Sequence, residues 1–243
     1  MSLTQVVRYA DADALAHHVA QRLLDAIVAR QADGHVVHLC LSGDSIAMRV
    51  LDEFATILSQ PPVDPELLEL WWSDERFIPT AHPDRLAGPT LALLARHYTL
   101  NPARTHPMPA SDGTLDAAAA ATNYTKELGD TRFDICLLDV GPHGEVASIF
   151  PGHLSCESAT PSVIAVTDAP APVPERISLT IPTLSESAQV WFLASGPDTA
   201  DAVAASLEDG APIPAGQVRG QESTTWLVDQ DAAAGLPYFE CSM

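Results

Sequence analysis

Lysine is almost missing from this 243-residue chain: Lys126 is the only one, and lysine and arginine together number 12 against 32 aspartates and glutamates. The resulting formal charge of −20 argues against nucleic acid and anionic membrane as partners, because both are held by clustered basic side chains. No apolar run approaches the roughly 20 residues that a membrane helix needs. Met1 to Arg8 shows no basic stretch followed by an apolar core, so no secretory signal is expected and the expected location is cytoplasmic. Cysteine is scarce too. Cys40, Cys136, Cys156 and Cys241 form no C-x-x-C pair, which fits a reducing compartment and not a disulfide framework. Neither G-x-G-x-x-G nor G-x-x-x-x-G-K-[ST] occurs, so nothing supports nucleotide binding. His17-His18 and His35/His38 lack further ligands at metal spacing. His143-x-Glu145 is not followed by the P-C-x-x-C of zinc deaminases. No metal and no cofactor are expected.

What the chain does have is apolar segments in alternation. Hydrophobic residues make up 47%, an ordinary globular share. Strands are expected at Val6–Tyr9, His35–Leu41, Leu68–Trp72, Phe133–Val140, Val163–Val166, Arg176–Ile181, Val190–Ala194 and Thr224–Val228. Helices are expected after Asp11 or Asp13, from the Ser42–Ser45 turn to about Leu58, and over Leu86–His97, Leu115–Leu128 and Pro197–Leu207. Gln60–Pro65 and Asn101–Gly113 read as irregular. Alternation of this kind is the pattern of an α/β, Rossmann-like, doubly wound, mostly parallel sheet with helices on both faces. With no internal repeat and no long linker, residues 1–243 read as one domain.

Ligands of such sheets bind outside the carboxyl ends of the strands, which directs attention to three loops. Ser42-Gly43-Asp44-Ser45 joins a buried strand to a helix N-terminus, where outward N–H groups and the helix dipole favour an anion; it also reads as a plain strand–helix turn, and Asp44 would repel an anion. Ser73-Asp74-Glu75-Arg76 places three charges at a strand end. Arg76 there suits a phosphate and Asp74 a sugar hydroxyl, or the group is a surface ion-pair cluster. Gly141-Pro142-His143-Gly144-Glu145 brings two titratable side chains among glycines. His143 and Glu145 are each a candidate general base, or else an exposed turn histidine and a first-turn helix glutamate. Arg176, before a further strand, is a second candidate cation, or an edge residue paired with Glu175.

These segments together resemble the 6-phosphogluconolactonase family over nearly the whole chain. Asp74 to Pro79 and Ala147-Ser148-Ile149-Phe150-Pro151-Gly152 carry the resemblance most specifically. Leu41 to Ala47, Pro174 to Pro182 and Thr225-Trp226-Leu227-Val228-Asp229 support it. The related glucosamine-6-phosphate deaminases share the early glycine loop but not the Ala147 to Gly152 run. The resemblance implies hydrolysis of 6-phosphogluconolactone by a monomer acting on a small sugar phosphate, with the phosphate at Ser42–Ser45 and Arg76, and Arg176 nearby. It also implies a histidine that activates water, within D-G-H. Here His143, Gly144 and Glu145 stand in those places, so the resemblance puts a glutamate, a weaker base than histidine, where the base belongs. Asp44 replaces a loop glycine, Ile46-Ala47 a Thr-Pro, Arg85-Leu86 a Ser-Asn and Ala171 a lysine. A sugar-phosphate binder with impaired catalysis, or a sugar-phosphate isomerase or deaminase, is the alternative.

Overall fold

Local sequence sets each element before any packing does. In the computed structural model, which describes residues 3–58, 63–157 and 161–237, strand β1 (Leu3–Tyr9) leads into helix α1 (Ala12–Gln31). Asp11 caps that helix by accepting from the Ala14 N–H at 2.8 Å. There follow β2 (Val37–Leu41), α2 (Ser45–Ile57), β3 (Leu68–Trp72), β4 (Asp74–Arg76), α3 (Ala87–Leu94), β5 (Thr105–His106), α4 (Ala117–Leu128) and β6 (Ile135–Asp139). The rest of the chain adds β7 (Val163–Val166), β8 (Arg176–Leu179), α5 (Ile181–Ser185), β9 (Gln189–Ala194), α6 (Ala200–Ser206), α7 (Pro214–Gln217) and β10 (Ser223–Asp229). Cys241 and residues 60–62 of the expected proline-rich loop lie outside the described residues.

Seven strands form one parallel sheet in the order β1-β10-β9-β6-β2-β3-β5. Side chains alternate between its two faces, as the period of two in a strand requires. Ile135 and Leu137 of β6 join the core beneath α1, α2 and α3, whereas Cys136 and Leu138 join the core beneath α4, α6 and α7. Both faces are covered, so the strands read as continuous apolar runs. Cys40, Cys136 and Cys156 are free thiols. Among the described residues no helix is long and apolar enough to cross a membrane.

The structure departs from the expectation in two places. Ser73–Arg76 was expected as a loop, and Val163–Val166 and Arg176–Ile181 as further strands of the main sheet. Instead β4, β8 and β7 form a separate antiparallel sheet, with Asp74 opposite Ser178 and Arg76 opposite Arg176. The short connection from β7 to β8 allows their antiparallel pairing, which needs no helical crossover, and β4 joins them from a distant part of the chain. The Asn101–Gly113 segment, read as irregular, contributes β5 at the sheet edge.

Strand order places the site. After β2 the chain runs outward to β3 and β5, then returns to lay β6 on the other side of β2. The reversal is a topological switch point, and the crevice of an open α/β sheet lies there. The loops that follow β2 and β6 therefore face each other across it.

Candidate active site

The loop after β2 is tied down from β6. Asp139, the last residue of β6, accepts from Ser42 Oγ (2.7 Å), from the Asp44 N–H (3.1 Å) and, through its other oxygen, from the Ala47 N–H (3.1 Å). It thus caps α2 from a neighbouring strand. The N–H groups of Ser45 and Ile46, in the first turn of the helix, have no intrahelical acceptor. Gly43 permits the loop to pass close to α3: a Cβ there would lie 2.7 Å from Leu86 Cβ. Burial, and then the charge of Asp44, push the Asp139 carboxyl up to about 7.

The loop after β6 folds back on itself. The Gly144 N–H donates to Gly141 O at 3.0 Å, and Gly144 has a φ of 80°, a left-handed conformation suited to glycine. The turn brings the Glu145 side chain over Gly141, where a Cβ would lie 2.1 Å from the carboxyl. Glu145 Oε2 accepts from the His143 N–H at 2.9 Å. Ala147 follows with a φ of 49°, a strained conformation for a residue with a Cβ.

A cavity of about 460 Å³ opens between these loops, lined among others by Ser45, Arg76, Asp139, Glu145 and Arg176. Arg76, Pro172 and Arg176 also line an adjoining cavity of about 380 Å³, with Gly43, Met48 and Arg85. Arg76 spans the opening with its Nη2 3.0 Å from Asp44 Oδ1. The Arg176 guanidinium is buried. It donates to Val173 O (3.0 Å) and Pro172 O (2.7 Å) and stands over the Phe150 ring. A larger groove, about 750 Å³, runs along the edge strand β1 between Thr4, Arg8, Leu207 and Leu236, and none of these loops reaches it.

The residues singled out in the sequence separate into two groups. Gly43, Asp44, Ser45, Arg76, Arg176 and Glu145 all line one or both of the joined cavities. Ser42, Asp74 and His143 do not. Ser42 is buried against Asp139. Asp74 is buried between Ser73 Oγ (3.1 Å) and Ser148 Oγ (2.7 Å), and its carboxyl is raised to about 6, first by burial and then by the charge of Asp44. It positions the Ser148 segment. The His143 side chain is exposed at the tip of the turn. Ala171, where the resemblance puts a lysine, lines the cavity and brings no charge. Among the described residues no three His, Cys, Asp or Glu side chains are placed to hold a metal ion.

The sequence reading missed Asp139, Ser195 and Asp198, all of which line the cavity. Ser195 Oγ donates to Asp229 at 2.5 Å, which ties the loop after β9 to the end of β10. Their signal was available: Asp139 and Ser195 are each the first polar residue after an apolar run, where the sheet ends, and Asp198 follows Ser195 by three residues.

Raised carboxyls carry a stability consequence. The folded protein keeps a proton on Asp139 to a higher pH than the unfolded chain does, so this group favours folding at low pH and the advantage is lost as pH climbs toward 7. Relative to wild type, Asp139→Asn is therefore expected to gain about 2–3 kcal/mol between pH 5 and pH 8. Urea unfolding at the two pH values measures it, and a pH-independent difference would mean that the carboxyl does not titrate in that window.

The family described as glucosamine-6-phosphate isomerases/6-phosphogluconolactonase matches residues 10–226. The 6-phosphogluconolactonase of Streptomyces coelicolor is 38% identical over 96% of this chain and 95% of its own length. That of Mycobacterium tuberculosis is 36% identical over 94% of this chain and 97% of its own. The crystal structure of 6-phosphogluconolactonase from Thermotoga maritima superposes with a TM-score of 0.83, covering 93% of this chain and all of that one, at 23% identity. That last likeness concerns the fold.

Proposed function

The chain belongs to the glucosamine-6-phosphate isomerase/6-phosphogluconolactonase family, and we propose that it hydrolyses 6-phosphogluconolactone to 6-phosphogluconate with Glu145 as the general base. The observation that carries the reading is that Glu145 and Arg76 line one cavity at the switch point of the sheet. A carboxylate placed to take a proton and a guanidinium placed to hold a phosphate thus face the same space.

The steps follow from those positions. Arg76 and the free N–H groups at the start of α2 hold the phosphate, with Arg176 behind them. A water beside Glu145 loses a proton to the carboxylate as its oxygen attacks the lactone carbonyl carbon. The tetrahedral adduct collapses, the bond to the ring oxygen breaks, and that oxygen takes the proton as the chain opens. A lactone is already an activated ester, so a modest base suffices. The reading includes a monomer in the cytoplasm, a setting with which the free thiols agree.

The test is turnover of freshly generated 6-phosphogluconolactone against its spontaneous opening in buffer. A rate equal to buffer, with 6-phosphogluconate still bound, would leave a sugar-phosphate binder in place of an enzyme. Arg76→Ala is expected to weaken 6-phosphogluconate binding by about 10- to 100-fold, the usual worth of a charge-assisted hydrogen bond. Titration calorimetry reads this, and unchanged affinity removes Arg76 from the phosphate site.

A further inference from the structure

Several of the donors that a phosphate would use in this cleft are already engaged by carboxylates of the chain itself, although the Ser45 and Ile46 N–H groups are not. Asp44 sits 3.0 Å from the Arg76 guanidinium. Asp139 holds the Ser42 hydroxyl and the N–H groups of Asp44 and Ala47 at the start of α2. The remaining cations are only partly free. Arg176 gives Nε and Nη2 to two backbone carbonyls and leaves Nη1 with Ser148 Oγ at 3.4 Å, and Arg85 donates to Met108 O at 2.7 Å and lies 3.4 Å from the buried Glu75 carboxylate. The larger of the joined cavities is lined by the carboxyl groups of Asp44, Asp139, Glu145 and Asp198 and by only two guanidiniums, those of Arg76 and Arg176. Even leaving aside Asp139, whose carboxyl is pushed up to about 7, three acidic side chains face two guanidiniums, so a dianionic phosphate enters a space short of positive charge, and like charges at short range in a partly buried cleft repel strongly.

We propose that Asp44 and Asp139 are specificity-determining residues, which hold down affinity for the phosphate end of the ligand so that the cleft selects mainly for the sugar end. The inference rests on the hydrolase reading above for the identity of the ligand. Asp44 acts by competing for Arg76, and Asp139 by taking the Ala47 N–H of the first turn of α2 and standing beside the Ser45 and Ile46 N–H groups that remain. Asp139 also keeps the loop in place, so it acts partly through the backbone N–H groups it holds. Asparagine at either position retains a carbonyl acceptor and removes the charge.

The experiment is titration calorimetry of 6-phosphogluconate and of gluconate with wild type, Asp44→Asn, Asp139→Asn and the double variant. For wild type the phosphate is expected to improve affinity by no more than about 100-fold, where two unopposed arginines would give on the order of 1,000-fold or more. Each single substitution is expected to raise that preference for the phosphorylated ligand by about tenfold. Asp44 is exposed, so Asp44→Asn carries the test even where Asp139→Asn lowers the yield of folded protein. A wild-type preference above 100-fold, or variants that show no gain, overturns the inference. If wild type nonetheless hydrolyses 6-phosphogluconolactone, the hydrolase reading stands and only this inference falls. If neither ligand binds wild type or any variant, this inference falls, and turnover of 6-phosphogluconolactone decides the hydrolase reading separately.

Discussion

Glu145→Gln is expected to lower turnover of 6-phosphogluconolactone by about 10²- to 10⁴-fold, the range that a positioned general base contributes. Glutamine fills the same space over Gly141 and can still accept from the His143 N–H, so the fold and the shape of the cavity should persist. What it loses is the capacity to take a proton from water. His143→Ala is the matched comparison. Its exposed ring does not line the cavity, and the variant is expected to keep turnover within about threefold, since surface substitutions seldom act at a distance. Initial rates against spontaneous lactone opening decide between the two bases. A large loss with His143→Ala and none with Glu145→Gln would move the base to the histidine and require the turn to rearrange on binding.

Removing Glu75 should have the largest effect on stability. Its side chain is 0% exposed, yet the carboxylate is fully provided with partners. It accepts from the N–H groups of Arg76 and Leu86 at 2.8 Å and of Ala87 at 2.9 Å, and Arg85 Nη2 lies at 3.4 Å. It thereby caps α3 from strand β4, much as Asp139 caps α2 from β6. Glu75→Ala strands these buried donors and leaves the Arg85 charge with backbone carbonyls alone. A cost of about 3–5 kcal/mol is expected, as for other buried ion pairs broken on one side. Urea denaturation measures it, with the midpoint shifting and the slope preserved. A cost below about 1 kcal/mol would show that water replaces the carboxylate. The change should also reach the site, because Leu86 packs directly against Gly43 of the loop after β2.

The second prediction rests on an arrangement that recurs in this fold, in which acidic side chains at or near strand ends accept backbone N–H groups of neighbouring segments. Asp139 and Glu75 do so at the N-termini of α2 and α3, and Asp229 takes the Gly196 and Ala232 N–H groups of the loops beside β9 and β10. The cost falls on the ligand, which meets a cleft with more acid than base.

Much of this was legible in the sequence. Continuous apolar runs such as Ile135–Leu138 signal strands buried on both faces, and their alternation with helices signals a parallel sheet, because short local periodicities report burial directly. The ends of those runs marked the loops, so most of the cavity-lining residues were named from their place beside an apolar strand. The small antiparallel sheet was not legible, because the pairing of Asp74–Arg76 with Arg176–Leu179 joins segments far apart in the chain and carries no local period. The engagement of the charges was not legible either. That Asp44 reaches Arg76, that Asp139 caps the start of α2, and that Glu145 enters the cavity while His143 leaves it all depend on side-chain directions. Those directions are set by a left-handed glycine, by the bare backbone at Gly141 and by strands that meet only after the chain has folded. Composition and local pattern therefore determined the fold and the place of the site, whereas tertiary structure alone decided which of its charges remain available to a ligand.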